Sequence, residues 1–127
     1  MFDSATILPD VAVSDIQKGK EFYGGTLGLK QSDEDMGGVT YECGGTRLFV
    51  YQSQTAGTGQ ATCFTFEVKA GTLKKTVEAV KAKGVSFEHY DMPGGQRDGD
   101  IHIMGDHQAA WFKDPDGNII CIAGKQA

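Results

Sequence analysis

The chain contains the same order of predicted elements twice, and this repeat constrains its fold more than any other feature of the sequence. In the first half, residues 6–13 alternate apolar and polar side chains, which is the pattern of a strand with one buried face. Ser14 and Gln17 have the spacing of a helix capping box, and apolar residues at helical spacing follow them. Strand-like runs at 39–42 and 47–52, separated by glycines, complete this half.

The second half follows a polar, flexible connector at 53–61 and repeats this order. Residues 63–68 alternate again, Thr72 can cap a second helix, and Gly84 is placed to end it. Further strands are predicted at 85–89, 101–104, 109–113 and 119–123.

The repeat predicts an α+β protein made of two βαβββ modules, at about 6–52 and 62–124, within a single domain of 127 residues. One such module leaves a sheet face exposed, whereas two modules can place their faces on either side of a common cavity. We therefore expect a cup-shaped mixed sheet that encloses a small molecule.

The charge of the chain argues against large anionic partners. Its 17 acidic and 12 basic residues give a net charge of −5. Such a surface repels phosphate backbones and anionic lipids, so we expect no binding to nucleic acid or to a membrane. The first residues lack the pattern of a signal peptide, and the three cysteines show no CxxC spacing. These features favour a cytoplasmic protein.

Two segments carry a family pattern. Residues 11–23 lead into Leu27-Gly28-Leu29, and residues 110–118 contain the turn sequence DPDG before an apolar run. Together with the repeat, these segments resemble the vicinal oxygen chelate superfamily of glyoxalase, bleomycin-resistance and extradiol-dioxygenase-type proteins. The resemblance covers nearly the whole chain and implies the paired-module fold and a homodimer. The motifs themselves are structural and do not specify the chemistry.

The resemblance also implies where the enzymes of this superfamily would hold a divalent metal. Their four ligand positions, mostly His and Glu, correspond here to Leu8, a position within 48–51, Cys63 and Cys121. Leu8 has no donor atom, and residues 48–54 include no His, Asp, Glu or Cys. We therefore expect no metal cofactor, with a divalent metal at a non-standard site as the alternative.

The thiols at two of these positions have two interpretations. On neighbouring strands that face one cup, Cys63 and Cys121 could bind a soft metal or react. They could equally be small core residues, since free cysteine is among the most buried residue types. The sequence favours core residues, because no His or Lys is evidently directed at either thiol.

A second polar group lies between residues 98 and 107. Its members are Asp98, Asp100, His102, Asp106 and His107. Asp100, His102 and Met104 share a strand parity, and imidazole with carboxylate suits a metal or acid–base chemistry. The surrounding Gly and Asp residues are more typical of solvated loops and edge strands, and His89 has the same two interpretations.

Trp111 and Phe112 are adjacent, so they point to opposite faces of one strand. If Phe112 packs on the helix, Trp111 lines the cup and can stack on a planar ligand. Alternatively, both rings fill hydrophobic space.

These observations predict a protein that binds a small organic molecule in an apolar cup without a metal, as drug-sequestering members of the resembled superfamily do. The predicted ligand-binding residues are Leu8, Asp10, Val50, Tyr51, Cys63, Glu67, His102, Trp111 and Cys121. Aromatic rings would contact the ligand, aliphatic side chains would form the wall, and Asp10 or Glu67 would be a polar handle. No catalytic residue is assigned.

The alternative function is that of an enzyme, a lyase, isomerase or dioxygenase, with a metal at a non-standard site. Such a metal would use Cys63, Cys121, His102 or His107.

Overall fold

The computed structural model describes residues 1, 3–4, 7–35, 38–59, 61–91 and 94–126, which form two compact units, Met1–Gly57 and Thr58–Ala127. The first unit consists of β1 (Asp10–Val13), α1 (Ile16–Lys20), β2 (Lys30–Asp35), β3 (Gly38–Cys43) and β4 (Thr46–Gln52). Its sheet has the order β1-β4-β3-β2, in which β1 is parallel to β4 and the other pairs are antiparallel. The predicted βαβββ order of this unit is confirmed, although Thr6, where the predicted first strand begins, lies outside the described residues.

The first sheet buries one face because apolar residues alternate along its strands. Val11, Val13 and Val50 are buried on this face. A Cβ atom on Gly19 of α1 would lie 3.1 Å from a methyl group of Val13 and 3.5 Å from one of Val50. The missing side chain at Gly19 therefore allows α1 to lie close against the sheet.

Asp15, and not the predicted Ser14, caps α1. Its carboxylate oxygen accepts hydrogen bonds from the backbone N–H groups of Gln17 at 2.9 Å and Lys18 at 3.3 Å. One aspartate thus satisfies two of the free amides at the helix start. In the predicted capping box, Ser14 and Gln17 would each have satisfied one backbone amide. The helix continues as a π-helical segment, Glu21–Thr26.

The second unit repeats this order with two short additional strands. Its elements are β5 (Thr62–Glu67), α2 (Leu73–Lys81), β6 (Phe87–Glu88), β7 (Gln96–Asp98), β8 (Ile101–Met104), β9 (His107–Lys113) and β10 (Ile119–Lys125). The sheet order is β5-β10-β9-β8-β7, and β6 pairs with β9. As in the first unit, the parallel pair joins the first and last strands. The predicted fold class of two βαβββ modules is confirmed.

One face of the second sheet is covered by α2, which packs on β9 and β10. Leu73 and Val77 of the helix are buried, as are Phe112 and Ile120 of the two strands. Since Phe112 lies on the helix side, its neighbour Trp111 lies on the opposite face of the sheet.

The turn between β9 and β10 is the one predicted at 114–117. The Asp114 carboxylate accepts hydrogen bonds from the backbone N–H groups of Asp116 and Asn118, both at 2.9 Å, and from Asn118 Nδ2 at 2.7 Å. Gly117 has a φ of +86°, which a residue with a Cβ rarely adopts. The local chemistry of the sequence therefore determines this hairpin.

Two strands, β2 and β7, are not predicted by the sequence. The residues of β2 are KQSDED, without apolar alternation, because this strand lies at the edge of its sheet. The predicted strand at 85–89 is reduced to β6. The predicted start of α2 is confirmed, but the Thr72 hydroxyl donates to the Lys69 carbonyl at 2.7 Å instead of capping the helix.

Among the described residues, no helix has the length and apolar character needed to cross a membrane.

Candidate functional site

The face of the second sheet opposite α2 brings several predicted ligand-binding residues together. Cys121 pairs with Trp111 on one side and with Thr65 on the other, while His102 pairs with Ala109. Side chains paired in this way point to the same side of a sheet. We call this side the Trp111 face, and define it by Thr65, Glu67, His102, Met104, Ala109, Trp111, Cys121 and Ala123.

His102 is the buried polar residue at the centre of this face. Only 2% of its surface is exposed, and its ring lies 4.9 Å from the ring of Trp111 in an edge-to-face arrangement. Its Nε2 atom accepts a 2.9 Å hydrogen bond from the backbone N–H of Tyr90. An Nε2 that accepts must carry a lone pair, so the proton of the neutral ring is on Nδ1.

Two polar atoms beside this hydrogen bond have no partner among the described residues. They are Nδ1 of His102 and the hydroxyl oxygen of Tyr90, and both are buried. Leaving a buried donor without a partner costs about 1–3 kcal/mol. Burial and the Glu88 carboxylate raise the pKa of Tyr90, with Lys113 opposing them, so the hydroxyl keeps its proton at neutral pH. Both groups can therefore donate to an acceptor.

Trp111 lies behind these two groups. It is 9% exposed, and its indole N–H donates to the Thr62 hydroxyl at 3.1 Å. Its ring packs edge-to-face on Tyr90 at 5.5 Å as well as on His102, and it forms an apolar cluster with Ala109 and Cys121. The indole thus supports the two donors and fills hydrophobic space behind them.

A cavity of about 460 Å³ opens in front of His102. It is lined by 90–91 and 95–97 together with His102 and Met104. Its volume is in the range of small-molecule sites, which are a few hundred cubic ångströms.

Arg97 brings positive charge to the cavity. It pairs with His102 across β7 and β8, so the two side chains share a face. One guanidinium nitrogen donates to the Gly99 carbonyl at 3.0 Å, which leaves the other donors of the group available. Asp91 is the acidic residue of the lining, and it is exposed.

The predicted thiols lie on neighbouring strands but in different environments. Cys121 is buried on the Trp111 face, where burial raises its pKa more than a hydrogen bond with Thr65 lowers it. Cys63 is exposed, at the point where the pairing of β5 and β10 shifts by one residue. Its sulfur is nevertheless desolvated enough to raise its pKa, and Asp114 raises it further. Both environments disfavour the reactive thiolate.

Asp100 forms a charged cluster away from the cavity lining. Its carboxylate accepts from Lys81 Nζ and from His89 Nε2, both at 2.7 Å, and these contacts lower its pKa. Of the other polar residues predicted between 98 and 107, Asp98, Asp106 and His107 are exposed. The structure therefore separates His102 from the acidic residues grouped with it by the sequence.

The predicted residues of the first unit divide between two faces. Asp10 pairs with Phe49, and Phe49 stacks on Tyr51 at 5.8 Å, so these side chains share one side of the sheet. Val50 lies on the other side, fully buried towards α1, and is not available to a ligand beside Tyr51. Because neighbouring residues of a strand point to opposite faces, Val50 and Tyr51 cannot line one surface. Leu8 lies before β1 and is 40% exposed.

The residues at the metal-ligand positions do not fit a divalent metal. Leu8 offers only hydrocarbon, 48–51 offers no imidazole or carboxylate, and the two thiols have raised pKa values. In the part of the chain that the structure describes, no three His, Cys, Asp or Glu side chains are grouped closely enough to hold a metal ion.

Sequence reasoning missed Tyr90 and Arg97. Tyr90 follows a predicted strand and has no pattern of its own, and its contact with His102 joins residues 12 positions apart. Arg97 belongs to β7, which the sequence does not predict. The parity of 100–104 was the one signal that placed His102 and Met104 together.

The chain matches the family model of the glyoxalase/bleomycin resistance protein/dioxygenase superfamily over residues 4–122. No curated protein matches the sequence.

Solved structures of this superfamily have a similar fold. A glyoxalase/bleomycin resistance protein/dioxygenase from Alicyclobacillus acidocaldarius is 16% identical, with a TM-score of 0.71 over 96% of this chain and 92% of that one. Lactoylglutathione lyase from Agrobacterium tumefaciens is 16% identical, with a TM-score of 0.69 over 95% and 93%. The fosfomycin resistance protein FosX from Listeria monocytogenes, complexed with Mn(II) and sulfate, is 13% identical, with a TM-score of 0.69 over 99% and 93%. At these identities the likeness concerns the fold alone.

Proposed function

The chain belongs to the glyoxalase/bleomycin resistance protein/dioxygenase superfamily, and we propose that it binds a small organic molecule in the cavity beside His102 without a metal ion. One observation carries this proposal. His102 is almost completely buried at the wall of an open cavity, and its Nδ1 donor has no partner among the described residues. A bound molecule with an acceptor would satisfy it.

The composition of the lining supports a small-molecule site. Tyr90 and Met104 supply apolar surface, while His102 and Arg97 supply donors. Small-molecule sites typically combine apolar walls with a few polar groups that fix the orientation of the ligand. Trp111 holds His102 and Tyr90 in place from behind, which is the kind of packing that pre-organises a site.

Metal independence is supported by the donor atoms of this chain. A hydrocarbon side chain at Leu8 and the lack of imidazole or carboxylate within 48–51 leave the inherited site without half of its ligands. Binding without a metal would set this chain apart from FosX, whose structure was determined with Mn(II).

We further propose that the protein is a cytoplasmic homodimer. The dimer rests on the family resemblance, and the location on the three free cysteines, which suit a reducing compartment. Light scattering should give twice the chain mass of 13.6 kDa. A single-chain mass at micromolar concentration would contradict the dimer.

The binding function can be tested by thermal stability and by fluorescence. A library of small aromatic and heteroaromatic compounds is screened for those that raise the melting temperature, since a ligand of the folded state stabilises it. Trp111 is the single tryptophan of the chain, so its emission should change when the cavity beside His102 is filled. The proposal predicts that His102→Phe abolishes both effects, whereas His107→Phe, at an exposed position, preserves them.

Elemental analysis of untagged protein tests metal independence separately. The proposal predicts no transition metal in stoichiometric amount and unchanged ligand affinity after chelation. A metal present at one per chain and lost in Cys63→Ser or His102→Ala would favour the enzymatic alternative.

A further inference from the structure

The lining of the cavity carries a fixed positive charge at Arg97, together with an opposing carboxylate at Asp91. His102 Nδ1 and the Tyr90 hydroxyl have no partner in the described part of the chain. Arg97 makes one hydrogen bond, to a backbone carbonyl, and no described carboxylate lies within ion-pair distance of it. A guanidinium group has five N–H donors and no acceptor.

Arg97 and His102 are positioned to act on one group. They are directly paired residues of β7 and β8, so their side chains start from the same side of the sheet at neighbouring positions. Both line the same cavity. A planar group with two oxygens matches a guanidinium and a neighbouring N–H donor better than a single neutral acceptor does.

We propose that the molecule bound in this cavity is an organic carboxylate, whose oxygens accept hydrogen bonds from Arg97 and from Nδ1 of His102. This inference rests on the proposed function and specifies its ligand class. The pKa of Tyr90 is raised by burial, which keeps its hydroxyl available as a third donor. The opposing charge in the lining comes from Asp91, which is exposed as Arg97 is, whereas His102 is the buried residue of the lining.

The remainder of the ligand should be apolar and planar. Tyr90 and Met104 line the cavity together with the buried imidazole, and both pack on the apolar cluster around Trp111. Nδ1 and the tyrosine hydroxyl are both shielded from solvent, so a carboxylate reaches them by displacing Met104 and not Tyr90, which is itself one of the donors. The flexible thioether chain of Met104 is the easier of the two to move.

Matched pairs of acids and amides test this inference. Benzoate, phenylacetate and 3-phenylpropionate are compared with benzamide, phenylacetamide and 3-phenylpropionamide by calorimetric titration. Each amide has the shape of its acid without the charge. Because Arg97 is exposed, its interaction with a carboxylate is screened by solvent, so at least one acid should bind about threefold more tightly than its amide.

Two arginine variants locate the source of the preference. Arg97→Gln should bring the affinity of the acid down to that of the amide. Arg47→Gln removes the other arginine of the chain, on the first unit, and should leave the preference unchanged. A melting temperature for each variant without added compound verifies that it is folded.

The possible outcomes separate this inference from the proposed function. If acid and amide bind the wild type equally and His102→Phe abolishes binding, the proposal that the ligand is a carboxylate is wrong. The proposed binding function is then unaffected. An acid preference that survives Arg97→Gln would overturn the role of Arg97. If no compound of either kind, and none of the wider library, stabilises the wild type, both proposals are wrong.

Discussion

The backbone N–H of Tyr90 donates a 2.9 Å hydrogen bond to Nε2 of His102 and thereby fixes which nitrogen of the buried ring carries the proton. Both residues line one cavity, and each has a buried donor without a partner in the described chain, His102 Nδ1 and the Tyr90 hydroxyl. Buried donors are normally satisfied, so a pair of unsatisfied ones calls for an explanation. A ligand acceptor is the explanation that also accounts for the cavity and for Arg97.

The Asp100 cluster gives a prediction about acid stability. Hydrogen bonds with Lys81 and His89 lower the pKa of the Asp100 carboxyl group, so the ionised form of Asp100 stabilises the fold. That stabilisation is fully present above the unfolded value, about 4, and is lost as the pH falls through the folded value. Asp100→Asn should lower the free energy of unfolding at neutral pH by about 1 kcal/mol, because Lys81 and His89 are about half exposed and solvent screens their interactions with Asp100.

The test is how the difference in free energy of unfolding between wild type and Asp100→Asn depends on pH. Urea unfolding of wild type and Asp100→Asn should converge as the pH falls below about 4. Asp98→Asn, at an exposed position, should change stability little at any pH. A difference between wild type and Asp100→Asn that persists undiminished well below pH 4 would contradict the assigned contacts.

The three thiols should react at different rates with a disulfide reagent at neutral pH. Cys43 is exposed and should react first, Cys63 is exposed but has a raised pKa, and Cys121 is buried with a raised pKa and should react last. Single Cys→Ser variants assign each phase. Rapid modification of Cys121 in the folded protein would mean that the Trp111 face is more open than described.

Gly38 should be intolerant of a side chain. A Cβ atom there would lie 2.2 Å from the ring of Phe49 and 3.0 Å from the Val50 carbonyl oxygen. Because that ring stacks on Tyr51, it cannot move freely, and Gly38→Ala should lower the free energy of unfolding by about 1–3 kcal/mol. Gly59→Ala is the matched control, since a Cβ there meets no atom within 4 Å. Equal stability of the two variants would contradict the packing of β3 on β4.

The sequence predicts most of the fold because local chemistry specifies it. The hairpin at Asp114 depends on its carboxylate and on a positive φ at Gly117, both of which are visible as a motif. Alternation along β1 identifies its buried face, whereas residues 109–112 of β9 are buried on both faces of the sheet. The sequence does not predict the edge strand β2, because its polar residues show no alternation with apolar ones.

The site is harder to predict, since its contacts join residues distant in sequence. The alternation of 100–104 places His102 on a face, but nothing in the sequence indicates that Tyr90 supplies a backbone N–H to it. The pairing of Arg97 with His102 depends on β7, a three-residue strand of exposed residues. Val50 was expected beside Tyr51 although the two are adjacent, and strand geometry places them on opposite faces.

Nitrogen-15 NMR of the histidine rings tests the central claim most directly. Without added compound, His102 should show a slowly exchanging proton on Nδ1 and an unprotonated Nε2, unlike the exposed His107. On titration with a compound that raises the melting temperature, the Nδ1 signal of His102 should shift and its exchange should slow further, while the signals of His107 stay in place. A compound that binds tightly and leaves both nitrogens of His102 unchanged would contradict the account.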